Sequence, residues 1–173
     1  MKVDTALLGG FLLYVLFPLW LVAGTADYLC HRRTAIEHTS GARENTLHLL
    51  QALEIGLALF AGLFLEINAL VLALMILLVL AHSFTAYWDV AYTAPRRLIS
   101  PFEQHVHSHL EIIPVAAVGI VAVVHWDALT VPSFALRFKS QPLPPLTVAT
   151  VLGLIFVLQA LPLAEESWRT RRS

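Results

Sequence analysis

Long apolar stretches alternate with short polar segments along the chain, and this pattern predicts five transmembrane helices. The apolar stretches cover about residues 5–26, 47–65, 67–87, 110–126 and 146–163. Each is close to the roughly 20 residues that a helix needs to cross the apolar part of a bilayer. We therefore expect an all-α integral membrane protein in which residues 1–173 form one transmembrane domain.

Composition supports a membrane protein and excludes several other classes. Hydrophobic residues make up 58% of the sequence and charged residues 13%, whereas soluble domains carry about 25% charged residues. A soluble core of this length could not bury so much apolar surface. The single cysteine, Cys30, excludes an intramolecular disulfide and a thiolate metal motif. No basic stripe is present, so we expect no nucleic-acid partner.

The distribution of basic residues orients the predicted bundle. With five spans, the first loop, the third loop and the C-terminal tail lie on one side of the membrane. Eight of the 11 lysines and arginines fall there: Arg32, Arg33, Arg43, Arg96, Arg97, Arg169, Arg171 and Arg172. Only Lys2, Arg137 and Lys139 fall on the other side. Because cytoplasmic loops carry the excess of basic residues, we expect a bacterial inner-membrane protein with its N terminus outside and its C terminus in the cytoplasm.

Side chains that can bind metal gather near the cytoplasmic ends of four predicted spans. Residues four or seven positions apart project from one face of a helix, so each of these helices can offer two ligands to a common centre. The predicted ligands form four such pairs: Asp27 with His31, Glu44 with His48, His82 with Asp89, and His105 with His109. Ionisable residues inside membrane spans are costly and usually functional.

Several other residues are weaker candidates. His38 lies in the first loop, and His107 points away from His105 if residues 103–109 are helical. If this segment is extended instead, alternation puts Glu103, His105, His107 and His109 on one side. The candidates for contacts to substrate or to the ligands are Gln51, Glu54, Arg96 and Arg97. We assign no catalytic residue, and no role to His125 at the opposite end.

The number and type of donors predict two metal ions. Eight nitrogen and oxygen donors exceed what one ion needs, and carboxylate–histidine pairs on four helices hold two ions in soluble di-iron bundles. Imidazole and carboxylate suit iron, zinc or manganese. We expect iron, between four helices of the bundle.

These helix-end pairs resemble those of the histidine-rich membrane hydroxylases and desaturases. The resemblance covers roughly residues 27–111 and lies in the architecture and the layer of ligands. Of the usual histidine boxes, only the HxxxH spacing of His105 and His109 is present, and Asp27, Glu44 and Asp89 stand where that class mostly uses histidine. The resemblance implies a cytoplasmic di-iron centre that activates dioxygen on a lipid or other apolar substrate. Because no flavin or nicotinamide fingerprint is present, it also implies a separate electron-donor protein.

Three other functions are compatible with the sequence. A zinc hydrolase similar to the membrane ceramidase-like group would use His82, Asp89, His105 and His109. A metal transporter needs polar sites near the midplane and a path to both sides, but the outer halves of the predicted spans are nearly all apolar. A b-type haem protein needs two facing histidines and leaves the carboxylates without a role.

Overall fold

The computed structural model describes residues 4–130 and 133–173, and only the main chain of residues 129 and 130. Five long helices account for most of this part of the chain, and all are long and apolar enough to cross a membrane. The helices are α1 (Thr5–Thr34), α2 (Gly41–Phe64), α3 (Ala69–Thr93), α4 (Pro101–Val124) and α5 (Pro145–Thr170). The predicted all-α membrane fold is therefore confirmed. Lys2, one of the residues used for orientation, lies outside the described residues.

Every helix extends beyond its predicted apolar stretch, and always at the same end of the bundle. For example, α1 continues from residue 26 to Thr34, and α4 begins at Pro101 rather than at residue 110. Because consecutive spans run in opposite directions, these extensions meet at the end formed by residues 35–40, residues 94–100 and the C terminus, which we call the ligand end. The extensions carry polar side chains into the bundle. Because these segments are polar, they are not part of the predicted apolar stretches.

The opposite end, which we call the far end, is closed by residues 65–68 and 133–140. Glu66 N donates to Arg137 O at 2.9 Å and Lys139 N donates to Phe64 O at 2.9 Å. Asn68 caps α3: its Oδ1 accepts from Val71 N at 3.1 Å. This pairing satisfies main-chain groups where α2 ends and α3 begins.

Apolar side chains lie on the outside of the bundle and charged side chains lie within it. Tyr14 is 77% exposed and Phe84 is 66% exposed, whereas Glu44 and Glu103 are 1% and 0% exposed. A soluble protein shows the reverse arrangement. Lipid accounts for the apolar exterior, and the buried charges require compensation inside the protein.

Prolines shape α1 and α5. A π-helical turn at Leu12–Leu16 precedes Pro18, and another at Phe156–Ala160 precedes Pro162. A proline cannot donate to the carbonyl four residues earlier, which for Pro162 is that of Leu158. The hydroxyl of Thr25 donates to Leu21 O at 2.9 Å and also lies 3.4 Å from Leu158 O, so α1 places a polar group beside this carbonyl inside the membrane.

Candidate metal centre

Histidines and carboxylates from all five helices meet in one buried group at the ligand end, which we call the carboxylate–histidine cluster. Its members are Asp27 and His31 of α1, Glu44 and His48 of α2, Asp89 of α3, Glu103 and His107 of α4, and Glu166 of α5. One arginine, Arg97, enters it from the segment between α3 and α4. Three groups of side chains in the cluster are close enough to share a cation. Two of these groups have no member in common, and the third, made of His31, His48 and Glu166, overlaps both.

The first set joins α1 to α4 and consists of Asp27, His31, Glu103 and His107. His107 Nε2 lies 2.9 Å from Asp27 Oδ1. His31 Nε2 lies 3.5 Å from Asp27 Oδ2 and 3.8 Å from Glu103 Oε1. One ligand atom from each of the four residues lies within 4.8 Å of the others, so a single cation could contact all four.

The second set joins α2 to α3 and consists of Glu44, His48 and Asp89. His48 Nε2 lies 3.2 Å from Asp89 Oδ2 and 3.8 Å from Glu44 Oε1. Gln51, one turn further along α2, donates from Nε2 to the same Asp89 oxygen at 3.3 Å. Thr93 lies beside the other oxygen, at 3.5 Å, so Asp89 is held from both sides.

Glu166 of α5 orients both central histidines. Its Oε2 lies 2.9 Å from His31 Nδ1, and its Oε1 lies 2.6 Å from His48 Nδ1. Asn45 Nδ2 donates to Oε1 at 3.1 Å. The two imidazole rings stack in parallel, with centroids 4.4 Å apart and an interplanar angle of 2°. Because the carboxylate accepts at Nδ1, it directs both Nε2 atoms into the cluster, as carboxylates do for metal-bound histidines.

The free donor atoms fit metal binding better than hydrogen bonding. The Nε2 atoms of His31 and His48 are buried and have no hydrogen-bond partner among the described residues. Their separations of 3.2 to 3.9 Å from the nearest carboxylates mostly exceed hydrogen-bond length. Two donors that each bind a cation at about 2.0–2.2 Å can be up to about 4.2 Å apart. A void of about 20 Å³ lies between Asp27 and His107 of the first set and His48 and Asp89 of the second, and the nitrogen and oxygen donors around it fit a bound cation.

Arg97 compensates part of the negative charge. Its Nη2 lies 2.6 Å from both Glu44 Oε1 and Glu103 Oε1, and its side chain is buried. Burial alone would lower the pKa of this guanidinium, but the hydrogen bonds that it donates to Glu44 and Glu103 outweigh burial and raise the pKa. Ser40 donates a further hydrogen bond to Glu44. Arg97, predicted as a substrate or ligand contact, thus bridges the two sets.

On α4, the pair of residues that faces the cluster differs from the pair that the sequence predicts as ligands. Residues 101–124 are helical, and Glu103 and His107 face the cluster. His105 and His109 lie about 200° around the helix from them, where His105 is exposed and His109 Nδ1 lies 2.9 Å from His105 O. A spacing of four fits both pairs, so only the rotation of α4 selects Glu103 and His107.

The remaining sequence-based candidates lie apart from the cluster. His82 is buried deeper along α3, with its Nδ1 3.9 Å from Glu54 Oε2. His38 is exposed in a short turn, and Arg96 is exposed over the ring of Tyr92. The structure therefore does not bring His82, His105 and His109 together with Asp89. The four residues that the sequence predicts as ligands of a zinc hydrolase therefore do not form one site.

Glu166 is the member of the cluster that the sequence does not predict. The predicted fifth span ends at residue 163, and the pattern of charges gives the tail only a role in orientation. The helix continues to Thr170, which brings Glu166, 2% exposed, against α1 and α2. The available signal was that Glu165 and Glu166 follow a span at the end where the other ligand-type residues lie.

No family model, curated protein or solved structure matches this chain.

Proposed function

We propose that this chain is a membrane-embedded metal-dependent oxidoreductase that holds two metal ions, iron above all, and acts on a lipid-soluble substrate. The observation that carries the proposal is the pair of non-overlapping ligand sets at the ligand end. Asp27, His31, Glu103 and His107 would hold one ion, and Glu44, His48 and Asp89 the other. Both sets combine nitrogen and oxygen donors, which iron, manganese and zinc accept.

Charge balance supports two ions rather than one. Five carboxylates surround the centre, and Arg97 is the one guanidinium among them. Histidines that bind metal are neutral, so in the metal-bound cluster four negative charges remain for the cations to balance. Two divalent cations would balance this charge, whereas one would leave two charges in an environment of low dielectric constant.

The position of the centre supports iron and redox chemistry. An apolar bundle surrounds it, which limits the access of water. When bound, a pair of iron ions supplies the ability to activate dioxygen and to exchange electrons. The chain itself orients the ligands through Glu166, neutralises charge through Arg97 and excludes water through the bundle. A separate electron-donor protein would reduce the centre.

We further propose that the ligand end faces the cytoplasm of a bacterium and that the N terminus lies outside. The excess of basic residues at this end supports that orientation. Reporter fusions after Trp168 and before Asp4 would test it. A cytoplasmic signal from both fusions would contradict it.

Elemental analysis tests the metal centre directly. Protein purified from iron-replete cells should hold about two iron ions per chain, and its Mössbauer spectrum should show iron with nitrogen and oxygen ligands. The double variant His31→Ala/His48→Ala should lose both ions, while the matched control His105→Ala/His109→Ala should retain them. One tightly held zinc ion and no iron would contradict the proposed oxidoreductase, and an intense Soret band would indicate haem instead.

A further inference from the structure

A large apolar cavity lies inside the bundle, below the metal centre and toward the far end. Its volume of about 410 Å³ is within the usual size range of small-molecule sites. Residues of all five helices line it. Along α4 it extends from Ile113 to His125, which is about 18 Å at 1.5 Å per residue. The cavity, which is partly open to the outside of the bundle, is therefore long enough for a single apolar chain.

The end of the cavity nearest the metal centre meets a polar layer. Ile55 and Val79 line the cavity. On α2, Glu54 lies one residue closer to the ligand end than Ile55. On α3, His82 lies about one turn closer to the ligand end than Val79. Both are buried, at 7% and 5% exposure. Glu54 Oε1 accepts from Thr85 Oγ1 at 2.9 Å, while its Oε2 has no hydrogen-bond partner among the described residues.

This polar layer also connects to the metal centre. Gln51 lies one turn before Glu54 on α2 and donates to Asp89 Oδ2. The ring of His82 faces the main chain of Gln51 and of Leu110. Pro114 leaves the Leu110 carbonyl without its usual helical donor. A molecule that fills the cavity would thus end at Ile55 and Val79, next to Glu54 and His82 along their helices. Glu54 and His82 lie six and seven residues, about two helical turns, from His48 and Asp89.

Basic side chains line the other end of the cavity. Lys139 and His125 both line it, and Lys139 Nζ donates to Gly62 O at 2.6 Å. Burial lowers the pKa of Lys139. Burial and then the charge of Lys139 lower the pKa of His125. An ammonium beside an otherwise apolar cavity favours an anionic group at that position.

We propose that this cavity binds the apolar chain of an amphiphile with an anionic head group, with the head group at Lys139 and the end of the chain at Glu54 and His82. The role of this molecule as substrate rests on the proposed function, but its binding does not require the metal. Carboxylate and phosphate head groups share the chemistry that Lys139 recognises. Lys139 also lies near the C terminus of α2, where a cation stabilises the helix. A change at Lys139 can therefore alter protein stability as well as ligand binding, so the two must be measured separately.

Ligand binding to the purified protein in a neutral detergent tests this inference. The probes are palmitate, hexadecyl phosphate and methyl palmitate, each measured by isothermal titration calorimetry with metal-loaded and chelator-treated protein. We expect at least one anionic probe to bind about tenfold or more tightly than the neutral ester, the effect of one charge-assisted hydrogen bond. The stronger of the two anionic probes identifies the head group.

Four variants, one of them a control, locate the site. Lys139→Met should remove the preference for the anion, Lys139→Arg should keep it, and the neighbouring control Arg137→Met should leave all affinities unchanged. Ala117→Phe, which places a ring in the cavity, should weaken all three probes about tenfold or more, and thermal unfolding identifies any variant that has lost its fold. Equal binding of ester and acids by the unmodified protein would overturn the head-group assignment, and unchanged binding by folded Ala117→Phe would overturn the cavity assignment.

The same measurements separate this inference from the proposed function. A protein that holds two metal ions but binds none of the three probes would refute the lipid site alone. A protein that binds palmitate with and without chelator but never holds metal would refute the metal centre alone.

Discussion

The ligand end and the far end of the bundle differ in what the five helices enclose. At the ligand end the helices surround five carboxylates, three histidines and one arginine. Toward the far end they surround an apolar cavity of about 410 Å³, whose lining is basic only where His125 and Lys139 border it. The same helices, with similar apolar exteriors, therefore provide two different interiors.

The difference shows how this chain accommodates charge inside a membrane protein. Buried carboxylates are tolerated where each has a partner, such as Arg97 for Glu44 and Glu103, and where cations can supply the remaining compensation. Toward the far end few such groups are present, and the interior is stabilised by apolar packing around Val71, Leu72 and Met75. Changes at the two ends should consequently affect different measurable properties.

The largest expected effect is on the metal content. His31→Ala or His48→Ala should reduce the metal content from about two ions to less than one per chain, because each variant removes a ligand and leaves Glu166 without one of its histidine partners. Metal is measured by mass spectrometry of the purified protein. Full metal content in both variants would remove the functional distinction between the two ends.

Arg97→Met should destabilise the metal-free protein by about 3–5 kcal/mol, since it leaves two buried carboxylates without their common partner. The loss should be smaller with metal bound, because cations then compensate Glu44 and Glu103. The free energy of unfolding is measured in detergent with and without chelator. The control is Arg96→Met, since Arg96 is exposed; an equal effect from both would show that compensation inside the cluster is unimportant.

At the far end, Met75→Ala should reduce the free energy of unfolding by about 2–5 kcal/mol, the usual cost of enlarging a buried cavity. Met75 is 5% exposed and lies in the apolar core beside the cavity. The metal content should stay at the level of the unmodified protein. Metal loss in a folded Met75→Ala protein would show that the two ends are coupled.

Glu166→Gln should lower the metal affinity about 10- to 100-fold, which is the usual effect of losing a carboxylate that orients a metal-bound histidine. Competition with a chelator measures this affinity. Glu165→Gln is the matched control, because Glu165 pairs with Arg32 and Arg169 outside the cluster. Similar affinities for both variants would contradict the orienting role of Glu166.

The smallest expected effect concerns the contact between α1 and α5. Thr25→Val should cost about 1 kcal/mol of unfolding free energy, because it removes a hydroxyl that donates to Leu21 O and lies near the Leu158 carbonyl, which lacks its usual helical donor. The metal content should not change. A stability equal to that of the unmodified protein would indicate that the π-helical turn satisfies this carbonyl by itself.

The sequence predicted the five spans because the length of an apolar stretch is a local property. It also placed Asp27, His31, Glu44, His48 and Asp89 at one end, since the alternation of spans fixes which helix ends meet. The structure brings these five residues together in the cluster. Their identity as metal ligands remains a prediction.

Only the tertiary structure decided which faces of the helices meet. On α4, a spacing of four describes His105 with His109 as well as Glu103 with His107, and the rotation of the helix about its own axis depends on packing against α1 and α3. Glu166 and Arg97 join the cluster through helix docking and loop geometry, which no local pattern encodes. The fold class and the end of the bundle that carries the ligand-type residues can be predicted from the sequence, because both depend on local polarity. Tertiary packing decided the cluster's membership, because that depends on contacts between residues up to 135 positions apart, as between His31 and Glu166.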